Sequence, residues 1–268
     1  MDNFVDERDY KLLEADKYTF LVLRRIIDTE CSLLLTDHER LIICFTESPY
    51  PVWIWTADGS TREEYEFAYR IVMEKGLLNR EHKFNVKYEL AEYFIKRAAE
   101  DNQKLAITMN LFAYDCPKAI PPSSRVSGRI EVCTEKDVEE LIIFLDRFHE
   151  EVQVDRKSIE EYREDAEKYA ATGRLYFWID DQNRKIASCQ YAPTGDMASI
   201  NMVYTQKAHR RKHYAENLVY QVTKIVEDAG YTPMLYTNAD YAASNACYEK
   251  IGYVLRGKLC TLGWENIL

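Results

Sequence analysis

The sequence predicts an α/β fold of the mixed, α+β sheet type, organised as two domains. Three observations carry this expectation. Short runs rich in β-branched and aromatic residues, such as Val52-Trp-Ile-Trp55 and Tyr176-Phe-Trp178, alternate with longer stretches of helical periodicity. Glycines and turn clusters separate the two kinds of segment. Between them the stretch DCPKAIPPSSRVSG at 115–128 holds three prolines and reads as a linker. The expected division is therefore a smaller domain over 1–115, a linker over 116–128 and a second domain over 129–268.

With 268 residues and 47% apolar content, the chain is long enough and apolar enough to build real cores. Its net charge of −10 argues against a general nucleic-acid or membrane-surface binder. The seven cysteines are scattered and form no CxxC pair, which points to reduced thiols, a cytoplasmic location and no zinc site. The N-terminus, MDNFVDERDYK, lacks an apolar signal core, and no run approaches the roughly 20 apolar residues of a membrane span. The five histidines show no metal spacing, so no metal is expected; oligomeric state is left open.

In the first half, Leu12, Leu13, Phe20, Leu21, Leu23, Ile26 and Ile27 suggest one helix over 5–29. Strands are expected at 31–35, 41–45 and 52–55, the last after the break Ser48-Pro-Tyr-Pro51. Thr61 to Glu64 matches a capping box for a helix that Gly76 ends. Asn85 is expected to cap a further helix, and 104–114 to form a strand.

The second half begins with a strand at 129–133. Helices follow over 135–152, capped by Thr134, and over 158–170, ending near Gly173. Strands at 175–179, 185–192 and 198–205 form a meander. A helix expected to bury Ala215, Leu218, Val219, Val222, Ile225, Val226 and Ala229 comes next, then a strand at 233–237, a helix at 242–250 and two closing strands at 253–255 and 258–263.

Between the third meander strand and the helix lies Arg210-Arg211-Lys212, a basic triplet in an acidic chain. A helix N-terminus presents unpaired N–H groups and a partial positive charge, so cations there suit a diphosphate; they equally suit a solvated helix start.

The element order β-α-α-β-β-β-α-β-α-β-β over 129–268 resembles the GNAT superfamily of acyl-CoA N-acyltransferases. Two motifs carry the resemblance. Val203-Tyr-Thr-Gln-Lys-Ala-His-Arg-Arg-Lys-His-Tyr-Ala215 is similar to the family's acetyl-CoA loop, R/Q-x-x-G-x-G/A. The ending S-N-x-x-Y-x-K-I-G-Y of 238–253 is similar to its pantetheine-binding segment. The chain departs from the pattern at Arg211 and, at the more constrained glycine position, at His213. Glycine there lets backbone approach the diphosphate closely.

The resemblance implies an acetyl-CoA-dependent N-acetyltransferase acting on a primary amine by direct transfer in a ternary complex. Its implied acetyl-CoA contacts are Val203, Tyr204, Thr205, Arg210, Arg211, Lys212, His213, Tyr214, Ala215, Asn238, Asn245 and Tyr248. Tyr248 would protonate the departing thiolate, and Glu151, or its neighbour Glu150, would accept the amine proton. Asn201 and Tyr176 are candidates for the acceptor site, though both also suit sheet packing. A non-catalytic acyl-CoA-binding protein, or a tandem domain binding no CoA, are the rival readings. Val52–Thr56 lines up with Asn201–Thr205, so the first half is similar to a degenerate GNAT-like copy; it also fits an unrelated α/β domain. Glu63 and Glu64 stand where a phosphate would sit in that copy, and repel one.

Overall fold

The computed structural model describes residues 1–27, 29, 31–152 and 156–264. Asp28 of the expected first helix and the last four residues of the expected second domain lie outside the described residues. Two compact units form. One comprises Met1–Ala113, Thr237–Tyr241 and the described part of Leu255–Leu268; the other comprises Tyr114–Tyr236 and Ala242–Val254. The break at Ala113 falls two residues before the expected end of the first domain, the linker stretch 116–128 lies in the second unit, and the chain's last strand packs with the first.

The first unit contains α1 (Glu7–Ala15), α2 (Leu21–Ile26), β1 (Leu33–Thr36), β2 (Leu41–Phe45), β3 (Val52–Thr56), α3 (Arg62–Glu74), β4 (Phe84–Val86), α4 (Tyr88–Glu100) and, but for Tyr114, Asp115 and Val254, the strands β5 (Leu105–Asp115) and β11 (Val254–Trp264). Strand order is β1-β2-β3-β4-β11-β5. All five residues of β2 and all five of β3 are buried, because helices cover both faces. Leu41, Ile43 and Ile54 join the core under α3 and α4, while Ile42, Cys44, Trp53 and Trp55 meet α1 and α2. Thr61 and Glu64 form the expected capping box.

Three expectations for this unit are corrected. The single helix over 5–29 is broken into α1 and α2. Asp16 ends α1, and its carboxylate accepts from Trp55 Nε1 at 2.8 Å and pairs with Lys87 at 2.7 Å, tying the chain to β3 and the start of α4. Asn85 does not cap a helix: it is buried in β4, where its side-chain oxygen accepts from Thr261 Oγ1 at 2.8 Å, and Lys87 takes the cap position. The two closing strands are one strand, β11. Gly257 serves there not as a turn but as a gap: a Cβ on it would stand 1.9 Å from Thr19 Oγ1.

The second unit contains β6 (Arg129–Val132), α5 (Val138–Val152), α6 (Ile159–Thr172), β7 (Leu175–Ile179), β8 (Lys185–Thr194), β9 (Met197–Thr205), α7 (Tyr214–Asp228), β10 (Thr232–Asn238, of which Thr237 and Asn238 belong to the first unit) and α8 (Ala242–Ile251). Strand order is β10-β9-β8-β7-β6, with β10 parallel to β9 and the rest antiparallel. Leu141, Phe144 and Leu145 of α5 and Tyr162, Ala166 and Ala170 of α6 pack on Leu175, Phe177 and Ile179. On the opposite face, α7 lies over β8 and β9. Ser158 caps α6 with Glu161, and Gly173 ends it at φ 64°. No described helix is long and apolar enough to cross a membrane.

One polar cluster in the first unit couples stability to pH. His38, buried and at φ 60°, places Nδ1 2.7 Å from Asp9 and Nε2 3.1 Å from Asp2. Asp9 also accepts from Thr36 Oγ1 at 2.6 Å and from the Asp6 N–H at 2.9 Å. Burial alone lowers the imidazole pKa, but the Asp9 hydrogen bond and charge, helped by Asp2 and opposed by Arg8, outweigh it, and the pKa is raised. A raised folded value means that the stabilisation is full below the unfolded pKa of about 6.5 and is lost as pH rises through the folded value. His38→Asn keeps a residue that tolerates the left-handed backbone. The gap in melting temperature between wild type and this variant is expected to be widest at pH 6 and to narrow toward pH 9; a gap independent of pH would exclude a protonated His38.

Candidate functional site

The site begins with a fault in the meander. β8 and β9 keep antiparallel register from Thr194↔Met197 to Gln190↔Asn201, then resume at Ser188↔Tyr204. Met202 and Val203 face one residue, Cys189, so β9 carries a bulge, and Met202 adopts φ 52°. β10 pairs with β9 only from Thr232↔Met197 to Leu235↔Ile200. Past that point the backbone of β9 is not in register with β10 among the described residues.

Beyond the bulge, alternation sends side chains to opposite faces. Val203 and Thr205 line a cleft of about 510 Å³. Tyr204 points the other way, into the α5 core, with its ring edge-on to Phe144 at 5.6 Å. It was expected among the acetyl-CoA contacts; its side chain lies instead in that core. Thr205 Oγ1 is buried with no hydrogen-bond partner among the described residues.

A short 3-10 turn, Lys207–His209, leads from β9 to α7. Gln206 anchors it, donating from its backbone to Ile186 O at 3.0 Å and from its side chain to Lys185 O at 2.8 Å. Arg210 is extended; Arg211 and His213 both take left-handed backbone, at φ 58° and 62°. The two residues standing at the glycine positions of the motif thus keep a glycine-like backbone. Each such residue costs about 1–2 kcal/mol. The four apolar side chains that α7 buries, Leu218, Val219, Val222 and Val226, contribute about 1.5–3 kcal/mol each and outweigh that cost. The His213 ring lies 2.9 Å from Glu216 Oε2, and its carbonyl accepts from the Asn217 N–H at 3.1 Å.

Across the cleft, α8 presents Ala243, Ala246, Cys247 and Lys250, spaced as one helical face, with Ser244 and Tyr248 beside them. Tyr248 is half-buried and sits edge-on to Tyr253 at 6.0 Å. Burial, then the nearby Cys247 and Cys189 thiols, push its pKa well above the ordinary tyrosine range, so the phenol stays protonated. Burial also raises the Cys247 thiol to about 11, with Glu216 adding to the effect, which makes it a poor nucleophile at neutral pH.

Of the residues expected here, Glu151, Val203, Thr205, Arg210, Arg211, His213, Tyr214, Ala215 and Tyr248 line the cleft. Lys212 is exposed outside it and donates to Ala208 O at 3.3 Å. Asn245 is half-buried, outside the lining, and Asn238 belongs to the first unit, where its Oδ1 accepts from the Asp240 N–H at 3.0 Å. Glu151 pairs with Arg210, whose Nε also donates to Thr205 O at 3.1 Å. Glu150 turns instead to Arg147 at 3.2 Å and Lys207 at 3.7 Å; the Arg147 hydrogen bond, then the Lys207 charge, lower its pKa. Asn201 keeps a buried side-chain oxygen without a partner among the described residues, and Tyr176 stacks on Tyr191 at 6.4 Å; neither lines the cleft. Ser244, Cys247, Lys250, His209 and Glu216 also line it, although none was named as a contact. The i, i+3, i+4, i+7 spacing from Ala243 to Lys250 was the available signal for most of α8's share.

Comparison with known proteins agrees with this geometry. Residues 180–262, which include most of the cleft, match the family model described as FR47-like protein. No curated protein matches the sequence. Among solved structures, a GCN5-related N-acetyltransferase from Kribbella flavida is similar over 94% of this chain and 96% of its own, at 12% identity and TM-score 0.65. A GNAT-family acetyltransferase from Colwellia psychrerythraea is similar over 86% and 84%, at 10% identity and TM-score 0.59. A Drosophila malonogaster protein is similar over 97% and 96%, at 11% identity and TM-score 0.65.

Arg211 is exposed, carries strained backbone and places a cation at a helix start, all of which a glycine relieves. Glycine's own entropy cost of about 0.5–1 kcal/mol offsets part of the gain. Arg211→Gly is expected to raise unfolding stability by about 1 kcal/mol in a denaturant titration; a loss of stability would show that the side chain holds the turn. Taken together, the mixed sheet, the bulged β9, the turn into α7 and these likenesses show that the chain has the fold of the GNAT acetyltransferases, with an FR47-like segment over 180–262.

Proposed function

We propose that the chain is an N-acetyltransferase that moves an acetyl group from acetyl-CoA to a primary amine, directly and in a ternary complex. The observation that carries this reading is the facing of two features across one cleft: the left-handed turn at the start of α7, and the protonated Tyr248 on α8. Catalysis is assigned to the domain expected over 129–268. The domain expected over 1–115 is read as a degenerate GNAT-like copy without a CoA site, because the capping box of α3 places carboxylates at the corresponding helix start. The free thiols of all seven cysteines suit a reducing, cytoplasmic setting.

The residues present fit acetyl-CoA. The first N–H groups of α7 have no intrahelical partner, and with Arg210 and Arg211 they suit a diphosphate. The backbone of Val203 to Thr205, released from β10, has the form of a strand edge that an amide-bearing arm can join. Bound acetyl-CoA would supply an acyl group activated as a thioester. Tyr248 donates its proton to the departing sulfur, and Glu151 accepts the amine proton, directly or through water. Because Glu151 shares Arg210 with the diphosphate, filling the anion seat loosens Glu151 for its role. No covalent enzyme intermediate is invoked, since the Cys247 thiol is held protonated.

A panel of amines assayed for release of free CoA thiol, with calorimetry of acetyl-CoA binding, tests the reading. One binding site per chain and turnover with at least one amine are expected. Binding without turnover would make the chain a non-catalytic acyl-CoA binder, and no binding would overturn the assignment altogether.

Tyr248→Phe removes only the hydroxyl. Turnover is expected to fall by roughly 10²-fold, with acetyl-CoA affinity little changed. Because the Tyr248 pKa is raised, its ionisation should produce no fall in wild-type rate up to about pH 10, the ordinary tyrosine value. Near-wild-type turnover per folded molecule, with only the melting temperature lowered, would instead make Tyr248 a packing residue.

A further inference from the structure

In the first unit, away from the cleft, two thiols are held in contact. Cys44, on the fully buried strand β2, donates its S–H to Cys31 Sγ, and the two sulfurs are 3.2 Å apart. Cys31, half-buried just before β1, donates in turn to Ile26 O at 3.0 Å, with Thr29 O at 3.5 Å. The Cys31 proton therefore points toward α2, and its lone pairs face Cys44. Three other cysteines use their thiols differently: Cys116, Cys133 and Cys260 donate to backbone carbonyls at 3.7–3.8 Å. The sulfurs of Cys31 and Cys44 have about 1.2 Å to close to reach a disulfide bond of ~2.0 Å.

We infer that Cys31 and Cys44 form a reversible disulfide when the protein meets a low-molecular-weight disulfide such as oxidised glutathione. The half-exposed Cys31 reacts first. As thiolate it attacks one sulfur of the oxidant, forming a mixed disulfide and releasing one thiol. Cys44, losing its proton to solvent or to the released thiolate, then attacks Cys31 Sγ and displaces the second thiol. Two protein thiols and one oxidant disulfide thus become one protein disulfide and two small thiols. Burial, then the Cys31 hydrogen bond, raise the Cys44 pKa and slow the second step. Holding the two sulfurs in contact offsets this, because the attack is intramolecular. The product closes the short loop 31–44 and fastens the segment after α2 to β2.

The test uses the full chain incubated with oxidised glutathione. Peptide mapping is expected to show one cross-link joining the segments with Cys31 and Cys44, with five of the seven thiols still titratable after unfolding. Reduction should restore all seven, and the oxidised form should melt higher by roughly 5 °C. Cys44→Ala should stop at a single glutathione adduct on Cys31, whereas Cys31→Ser should leave Cys44 unmodified in the folded protein. Seven titratable thiols after oxidation, a cross-link between another pair, or wild-type protein that stops at the adduct would each overturn the proposal.

Discussion

The bulge at Met202 is the constraint on which the second unit turns. A regular β9 would continue its register with β8 and stay beside β10 along its length. The extra residue opposite Cys189 instead ends the pairing with β10 at Ile200. It also resets alternation, so that Val203 and Thr205 share the α8 side while Tyr204 fills the α5 core. The turn into α7 then begins from a strand end that is already diverging. Without the bulge, the cleft would be closed by ladder hydrogen bonds, and the start of α7 would face no opening.

Electrostatics adds a second level of order within that cleft. Its polar side chains are matched in pairs: the Arg210 cation with Glu151, and the His213 ring with Glu216. Arg211 stands exposed at the rim and Lys250 on the opposite helix. In a chain with a net charge of −10, a local surplus of cations is an arrangement of particular side chains, not a property of composition. On our proposal, the Arg210–Glu151 pair links anion binding to proton transfer.

Much of this was legible in the sequence, for physical reasons that differ between elements. The capping box at Thr61 and the cap at Thr134 are local chemistry, and they appear where the residues stand. Strand β7 agrees to the residue, since an aromatic and aliphatic run between a glycine-ended helix and a turn has few alternatives. The failures are tertiary. Asp16 breaks a helix because Trp55 and Lys87, far away in sequence, bind its carboxylate. Asn85 looks like a cap but finds a partner in Thr261 across a strand pair. Gly257 falls between the two closing strands that were expected, but the strand runs through it and the close approach of Thr19 requires it. In the site, the motif singled out the turn and Tyr248, and both line the cleft. It could not tell which of Val203, Tyr204 and Thr205 point inward, because one extra residue in β9 inverts the answer.

The turn before α7 carries side chains at two left-handed positions where its motif has glycine. Glycine visits either hand of backbone with ease, so a glycine loop carries intrinsic plasticity. With Cβ atoms on Arg211 and His213, the alternative basins are fewer and the unfolded chain has less freedom to lose. The corner therefore behaves as a fixed template rather than a hinge. An anion that enters it must match the spacing of its N–H groups as they stand, and selectivity there rests on shape before it rests on charge.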